Sequence, residues 1–415
     1  MTRPRAVIVV TGSELVRGDR SDRNGPYLAR ELTRLGLEPA RVVVVGDGVE
    51  ELESALREGL EADLCVTSGG LGPTHDDRTV EAVARVAGLG MHVDEELRAE
   101  IERISRAVAE RLRRPYTDFE PGVGKQATKP DGSQSIGLAG TAPGLVVPAG
   151  SAAVVVLPGP PRELQRLWPR ALETDPVRAV LARTSPPRRR VLRFFGASES
   201  EIARALETEH RPGVDVTVCA HDFEIVVEVF GDGDGVAGAL RERAGRHLFA
   251  EDERPVAELV LEACRERGWT LATAESCTGG MVAERITEIP GASDVFVGAV
   301  VAYANEVKAR ELGVPEKILR EHGAVSAETA AAMARGVRER VGADVAVAVT
   351  GVAGPSGGTP EKPVGLVYLH AETPERSRGT DFVYGADRES IRRRATVAAL
   401  HLTRRLLTRT RHEAG

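Results

Sequence analysis

The chain has 415 residues, 42% hydrophobic and 28% charged, as expected for a globular protein of two or three domains. Its net charge of −7 and aromatic content of 4% argue against nucleic-acid binding, which uses basic surfaces and stacking rings. No apolar run reaches the roughly 20 residues of a membrane helix. The apolar run nearest the N-terminus, residues 5–10, is typical of a buried strand rather than of a secretion signal. We therefore predict a cytoplasmic protein that contacts no membrane. The cysteines form no C-x-x-C pair, which argues against structural zinc: they are Cys65, Cys219, Cys264 and Cys277.

Short β-branched runs alternate with helical patterns in residues 1–172. This alternation predicts a doubly wound α/β domain with a mainly parallel sheet. Residues 173–187 contain several prolines, and we interpret them as a linker. The predicted strands are 6–10, 41–45, 63–67, 145–147 and 153–157, and the predicted helices include 24–35 and 49–60.

Polar and glycine-rich segments follow the strands of this first domain, at the edge where such sheets bind ligands. Asp76 and Asp77 come directly after a glycine-rich turn. Two carboxylates beside a phosphate cradle can hold a divalent metal, or they can be helix caps that compensate the helix dipole. The candidate nucleotide and phosphate contacts are Glu14, Asn24, Gly69, Gly70, Gly72, Thr74, Gly140 and Thr141.

Residues 188–250 show a strand–helix–strand–strand–helix pattern without clustered chemistry. We interpret this α+β segment as a spacer or dimerisation module, and we expect a homodimer.

The third domain, residues 254–412, contains a strand, a tight turn at 273–280 and the start of a helix. Such turns expose a side chain and direct free backbone N–H groups at a ligand, so Ser276 is a candidate nucleophile. Alternatively, Ser276 and Thr278 only cap the helix. Cys277 is a rival nucleophile because thiolates are intrinsically stronger, although we expect its side chain to point inward.

A serine nucleophile needs a base, and a desolvated lysine can supply one. Lys308 comes just past the end of a predicted strand, five residues after Tyr303; the alternative is a solvated helix residue. Thr350 ends another apolar strand and opens a glycine-rich loop, which brings further N–H groups to the same edge. The final basic helix, from residue 387 to about 409, carries Arg388 and Arg392 one turn apart on one face. The expected oxyanion donors are the amides near Gly279, Gly280 and Gly351.

The segments 274–280, 303–308, 322–326 and 350–355 with 362–365 resemble the CinA family, as do 12–14, Asn24 and 69–77 in the first domain. The resemblance covers nearly the whole chain. It implies that the third domain is a nicotinamide mononucleotide (NMN) deamidase without a cofactor, with Ser276 as nucleophile assisted by Lys308 and Tyr303. The positions that it assigns to the rest of this site are Thr350, Thr278, Gly279, Gly280, Gly351, Ala353, Gly354, Arg388 and Arg392.

The resemblance also implies a metal-dependent ADP-ribose pyrophosphatase in the first domain, which is similar to molybdopterin-binding proteins. The middle module is similar to a KH-like insert. The first domain departs from the usual family pattern at Ser13, Arg23 and Pro160. Two rival hypotheses stay open at this point: a transferase that handles a pterin, and a non-catalytic adaptor in DNA uptake or recombination.

Overall fold

The computed structural model describes residues 3–186, 188–207 and 213–408. The chain divides into two compact units, Met1–Pro187 and Arg188–Gly415. Within the described ranges, no helix has both the length and the apolar character that crossing a bilayer requires.

The first unit alternates strands and helices along most of its length. Its strands are β1 (Arg5–Thr11), β2 (Glu38–Val45), β3 (Leu64–Ser68), β4 (Met91–Val93), β5 (Thr128–Pro130), β6 (Gln134–Leu138), β7 (Pro143–Ala149) and β8 (Ala152–Leu157). Its helices are α1 (Ser13–Val16), α2 (Asn24–Arg34), α3 (Val49–Leu60), α4 (Thr79–Ala87), α5 (Glu95–Leu112), α6 (Glu120–Gln126), α7 (Pro161–Leu172) and α8 (Asp175–Leu181).

The main sheet of this unit has the order β2-β1-β3-β8-β7-β6. The strands β2, β1, β3 and β8 run parallel, as predicted. The strand β7 runs antiparallel to both of its neighbours, β8 and β6. Only Gly150 and Ser151 connect β7 to β8, and so short a connection joins antiparallel strands. Every residue of β8 is buried, which explains its continuous apolar sequence: both faces of the sheet are covered.

The predicted linker at 173–187 was wrong in part, since Asp175–Leu181 form the helix α8. Pro176 lies in the first turn of α8, where its missing N–H costs no helical hydrogen bond. Val177 and Val180 are buried in the core of the first unit. A proline that begins a helix therefore looked, in sequence, like one that interrupts structure.

The second unit contains the middle module and the third domain. Its strands are β9 (Arg189–Phe195), β10 (Asp215–His221), β11 (Glu224–Phe230), β12 (Leu248–Ala250), β13 (Leu271–Glu275), β14 (Phe296–Val301), β15 (Val345–Gly351), β16 (Leu366–Glu372) and β17 (Ser377–Val383). Its helices are α9 (Glu199–Leu206), α10 (Asp234–Ala244), α11 (Val256–Arg265), α12 (Met281–Thr287), α13 (Asn305–Leu312), α14 (Glu316–Glu321), α15 (Ala327–Val341) and α16 (Arg388–Leu407).

Two sheets organise this unit. The middle module has an antiparallel sheet in the order β10-β11-β9-β12, and the third domain has a sheet in the order β14-β13-β15-β16-β17. In the latter, β14, β13 and β15 run parallel. Their carboxyl ends therefore meet at one edge, where the amide of Ser276 donates to the carbonyl of Val349 at 2.9 Å.

The middle module and the last helix share a buried polar contact. The Nε2 atom of His401 on α16 lies 2.7 Å from Oε1 of Glu224 on β11. Arg193 donates to the other oxygen of Glu224 at 2.6 Å, and the ring of Phe195 stacks on His401 with centroids 3.8 Å apart. These residues pack the module against the third domain, although each of the two has a hydrophobic core cluster of its own.

Candidate active site

Ser276 opens the turn between β13 and α12, and only 8% of its surface is exposed. Gly279 and Gly280 follow with φ angles of 63° and 101°, values that side-chain-bearing residues rarely adopt. The N-cap of α12 is Gly280, and no side chain caps from that position. The alternative that Ser276 and Thr278 serve as helix caps was therefore wrong.

Glu275, which the sequence analysis missed, takes over the capping. It is fully buried at the end of β13. Its carboxylate accepts hydrogen bonds from the amides of Gly280, Val282 and Ala283 at 2.9–3.1 Å and from the hydroxyl of Thr273 at 3.2 Å. A carboxylate suits the positive end of a helix, and here it fixes the turn that carries Ser276. The only sequence signal was an acidic residue placed between an apolar strand and the turn.

Lys308 lies on α13 with 1% of its surface exposed, so the alternative of a solvated lysine was wrong. Its Nζ lies 3.1 Å from the hydroxyl oxygen of Ser276. It also donates to the carbonyls of Ala302 at 2.8 Å and Tyr303 at 3.1 Å. Burial lowers the pKa of Lys308. A neutral amine has two N–H groups, which the two carbonyls can accept, and a lone pair that is then left for the serine hydroxyl.

Cys277 points into the core of the third domain, as expected. Burial raises the pKa of its thiol to about 11, so the thiol stays protonated at neutral pH. The thiolate is the reactive form of cysteine. The structure therefore favours Ser276 over its neighbour as the nucleophile.

The predicted oxyanion donors are only partly available. The amide of Gly279 donates to the carbonyl of Ser276 at 3.1 Å, and that of Gly280 is bound by Glu275. In the part of the chain that the structure describes, the amides of Cys277 and Thr278 have no main-chain acceptor, and that of Cys277 contacts only its own thiol. They are the free donors nearest in sequence to the Ser276 hydroxyl.

The two arginines of α16 reach this turn and the loop after β15. Arg392 donates to the carbonyls of Cys277 at 3.0 Å and Thr278 at 2.8 Å. Arg388 donates to the carbonyl of Gly354 at 2.7 Å and to the hydroxyl of Tyr303 at 3.0 Å. A guanidinium has five N–H groups, so each arginine keeps donors for a ligand.

The side chain of Tyr303 is 60% exposed. Among the described residues its hydroxyl is bonded to Arg388, and neither Ser276 nor Lys308 contacts that hydroxyl. Only the main-chain carbonyl of Tyr303 touches Lys308. The geometry therefore places the tyrosine hydroxyl beside the arginines.

The loop after β15 contributes mainly structural contacts. Thr350 is buried, and its hydroxyl donates to the carbonyl of Ala324 at 2.7 Å. Gly351 lies inside β15, opposite Val367, and Ala353 belongs to the buried core. The hydroxyl of Thr350, which was predicted to belong to the active site, thus holds the 322–326 segment.

Comparison with known proteins decides the family. The family model described as "CinA C-terminal domain" matches residues 253–407, and the one described as "Probable molybdopterin binding domain" matches residues 7–175. A CinA-like protein from Mycobacterium tuberculosis is 44% identical over 422 residues, 97% of each chain. This chain belongs to the CinA family. The CinA-like protein of Mycolicibacterium paratuberculosis is 43% identical over 432 residues, 97% of this chain and 98% of that protein.

A crystal structure of the competence/damage inducible protein CihA from Agrobacterium tumefaciens is also similar to this CinA-family chain. It is 40% identical and covers 37% of this chain and 96% of its own, with a TM-score of 0.35.

In the first unit of this CinA-family protein, the residues predicted to contact a nucleotide lie in three different clefts. Glu14 and Asn24 line a cleft of 720 Å³. Gly70, Gly72 and Asp77 line a second, of 500 Å³, together with Lys125. Gly140 and Thr141 line a third, of 460 Å³, beside Glu163. The amide of Gly69 is bonded to the carbonyl of Leu157. The residues predicted to form one nucleotide site are thus spread over separate clefts, and two of them, Glu14 and Asn24, lie on α1 and α2.

Asn24 has a structural role in the first of these clefts. It is buried, and its side-chain amide donates to the hydroxyl of Ser68 at 2.8 Å and to the carbonyl of Gly159 at 2.7 Å. These bonds join the start of α2 to the end of β3 and to the turn before α7. The side chain therefore shapes the wall of the cleft.

Neither acidic residue of the 69–77 segment caps α4, since that helix begins at Thr79 with no side-chain cap. The capping alternative was wrong. Asp77 instead accepts hydrogen bonds from the amide and hydroxyl of Thr74, at 3.0 and 2.5 Å. The neighbouring carboxylate, Asp76, also interacts with the Thr74 side chain, and this interaction lowers the pKa of Asp76. No group of three or more His, Cys, Asp or Glu residues arranged to hold a metal occurs in the described ranges.

Proposed function

We propose that this CinA-family protein hydrolyses the amide of NMN, giving nicotinic acid mononucleotide and ammonia. The observation that carries the proposal is the buried Ser276–Lys308 pair, with 3.1 Å between nucleophile and base. A serine hydroxyl beside a desolvated lysine is an activated nucleophile, and the family resemblance supplies the substrate.

The first half of the reaction follows from the contacts of Lys308. The neutral amine donates its N–H groups to Ala302 and Tyr303 and accepts the proton of Ser276. The serine oxygen then forms a bond to the amide carbon of NMN. As the tetrahedral intermediate collapses, the C–N bond breaks and Lys308 returns the proton to the leaving nitrogen, which departs as ammonia.

The second half reverses these roles. Lys308 takes a proton from water, the resulting hydroxide attacks the acyl carbon, and the ester bond to Ser276 breaks. The serine oxygen regains its proton from Lys308, and nicotinic acid mononucleotide is released. The amides of Cys277 and Thr278 donate to the oxyanion in both halves.

Arg388 and Arg392 suit the 5′-phosphate of NMN, because a guanidinium fork matches phosphate oxygens. Their remaining N–H groups lie beside the turn of Ser276 and the loop of Gly354. They would position the nucleotide so that its amide carbon reaches the serine. Nicotinamide, which lacks the phosphate, should therefore be a poor substrate.

The test is incubation of the full chain with NMN in the presence of EDTA, with chromatography of the nucleotides and an ammonia assay. Equal amounts of ammonia and nicotinic acid mononucleotide are expected. Nicotinamide and the Ser276→Ala variant are the controls. Unchanged NMN with a folded wild-type protein would refute the proposal and return attention to the pterin and adaptor hypotheses.

For the first unit we propose a second activity, cleavage of the pyrophosphate of ADP-ribose. The supporting feature is the cleft that holds Gly70, Gly72, Asp77 and Lys125. A Cβ on Gly72 would lie 2.4 Å from Oδ2 of Asp77, so the glycine leaves room for that carboxylate. Lys125 brings a positive charge to the phosphates.

This second reaction is proposed to use a divalent cation. Mg²⁺ is commonly held by one or two carboxylates together with substrate phosphates, and Asp77 fits that arrangement because its Oδ1 is free of the bonds to Thr74. The cation would neutralise charge on the pyrophosphate. Formation of AMP and ribose 5-phosphate from ADP-ribose, dependent on added Mg²⁺, is the expected result; intact ADP-ribose would refute this part.

A further inference from the structure

A cavity of 340 Å³ lies between the middle module and the third domain, inside the second unit. Phe195 and His247 line it from the module. Arg378 on β17 and Arg394 and Arg405 on α16 line it from the third domain. Ser276 is not part of its wall, so this cavity is separate from the proposed deamidase site.

The three arginines lack anionic partners. Within the described residues, none of Arg378, Arg394 and Arg405 forms a salt bridge or a side-chain hydrogen bond, whereas Arg193 and Arg189 of the same unit pair with glutamates. Burial and the nearby positive charge of Arg378 lower the pKa of Arg405. Three positive charges thus line one cavity, and none of them forms an ion pair with a carboxylate among the described residues.

The local charge is positive although the whole chain is acidic. Besides the three arginines, the cavity wall contains the single carboxylate of Asp381, which leaves a net charge of 3 − 1 = +2, with His247 neutral. The chain as a whole carries −7. A concave region of opposite sign to the rest of the surface concentrates oppositely charged ligands.

Aromatic rings contact two of these arginines, Arg394 and Arg405, without cancelling their charge. The Cζ of Arg394 lies 4.8 Å from the centroid of the Tyr384 ring and 5.6 Å from that of Phe382. The Cζ of Arg405 lies 5.7 Å from the ring of Phe195. Cation–π contacts of this kind orient a guanidinium, and its N–H groups stay available.

We propose that this cavity binds a phosphate-bearing small molecule through Arg378, Arg394 and Arg405. Guanidinium groups bind phosphate oxygens in pairs, and the rings of Phe195 and Phe382 offer an apolar wall to the rest of the ligand. The volume lies near the lower end of the roughly 300–1,000 Å³ usual for ligand sites, which suits a mononucleotide. Since both the module and the third domain line the site, its ligand stabilises their contact.

The test compares two double variants of the full chain by isothermal titration with inorganic pyrophosphate and, separately, with AMP. Arg378→Gln/Arg405→Gln removes two cavity charges. Arg320→Gln/Arg335→Gln removes two exposed arginine charges of the same unit outside the cavity and is the matched control. Losing two charge-assisted bonds should weaken binding by at least about tenfold, with the control unchanged.

A thermal melt gives a second readout. Ligand should raise the melting temperature of the wild type and the control but not that of the cavity variant. Tighter binding of AMP would assign a nucleotide, and equal binding would assign a simple phosphate; both support the site. Wild-type-like binding by the cavity variant, or absence of binding to the wild type, would overturn the proposal. Neither readout depends on NMN turnover.

Discussion

The Nζ atom of Lys308 lies 3.1 Å from the Oγ atom of Ser276, and both residues are buried. Two main-chain carbonyls fix the lysine from the other side. The pair is thus held in one arrangement by the backbone around Ala302 and Tyr303. The proposed nucleophile and the proposed base are thus in direct contact, and the first predictions rest on this contact.

Ser276→Ala should reduce NMN turnover on the order of 10³-fold or more, because covalent catalysis is lost. Cys277→Ala should cost far less, since the thiol is a small buried group that stays protonated. Turnover is measured after circular dichroism has shown that both variants fold. An active Ser276→Ala together with an inactive Cys277→Ala would identify the thiol as the nucleophile.

Lys308→Arg should also abolish turnover, because a guanidinium cannot release its proton near neutral pH. Adding Ser276→Ala to this variant should change little, as expected for residues that act as a unit. Additive losses in the double variant would show that the lysine acts independently.

NMN turnover should rise with pH as Lys308 loses its proton. Because burial lowers the pKa of this lysine, the midpoint of that rise should lie below the ordinary lysine value of 10.5. The measurement is kcat/KM for NMN across pH, which reports the free enzyme. A rate that is flat over the range in which the protein is folded, from pH 6 upward, would contradict a lysine base.

Glu275→Gln should lower both stability and turnover. The amide of glutamine cannot accept all the hydrogen bonds that the carboxylate accepts from Thr273 and α12. An unsatisfied buried group costs about 1–3 kcal/mol, and the turn of Ser276 would loosen. Glu284→Gln, an exposed change on the same helix, is the control. The measurements are urea unfolding and kcat; equal behaviour of the two variants would rule out this role.

The burial of His401 predicts a loss of stability in acid. Burial lowers the pKa of His401 to about 4 although the contact with Glu224 acts in the opposite direction, and the charges of Arg404 and Arg405 add to the lowering. The unfolded chain, with an ordinary value near 6.5, binds the proton first. Stability from this residue is therefore complete above pH 6.5 and is lost as the pH falls toward 4, by about 3 kcal/mol at most.

The test of this contact is the free energy of urea unfolding at pH 7 and pH 5. His401→Gln should be less stable at pH 7 but should show a smaller decrease between the two values than the wild type. An identical decrease in both proteins would assign the acid sensitivity to other groups.

Asp77→Asn should abolish ADP-ribose cleavage while leaving NMN turnover intact, because the asparagine amide is a poorer ligand for a hard cation. NMN turnover by the same preparation controls for folding. Unchanged cleavage of ADP-ribose would reduce Asp77 to its hydrogen bonds with Thr74.

Periodicity was enough to locate most strands and helices, and with them the edge at which Ser276, Lys308 and the 350–355 loop meet. This worked because the carboxyl ends of neighbouring parallel strands must meet. The buried position of Lys308 could be proposed only from its place just past a strand. Its two carbonyl partners depend on how the chain bends after Val301, which no local pattern records.

Glu275 shows why the rest could not be predicted. A glutamate at the end of an apolar strand has the same sequence appearance whether it is solvated or buried against a helix. Its burial in turn uses the amide of Gly280, which the sequence analysis had assigned to the oxyanion. Likewise, the apolar environment of His401 is supplied by Phe195 and Phe249, both more than 150 positions earlier in the chain.

The His401–Glu224 contact has a consequence for biosynthesis. The two residues are 177 positions apart, and α16 leaves the ribosome long after the middle module. Until then Glu224 can pair only with Arg193, and the rings of Phe195 and Phe249 lack the imidazole that packs between them. The nascent module therefore lacks this part of its packing while residues 251–407 are synthesised, and the two rings gain their imidazole partner only when the last helix docks.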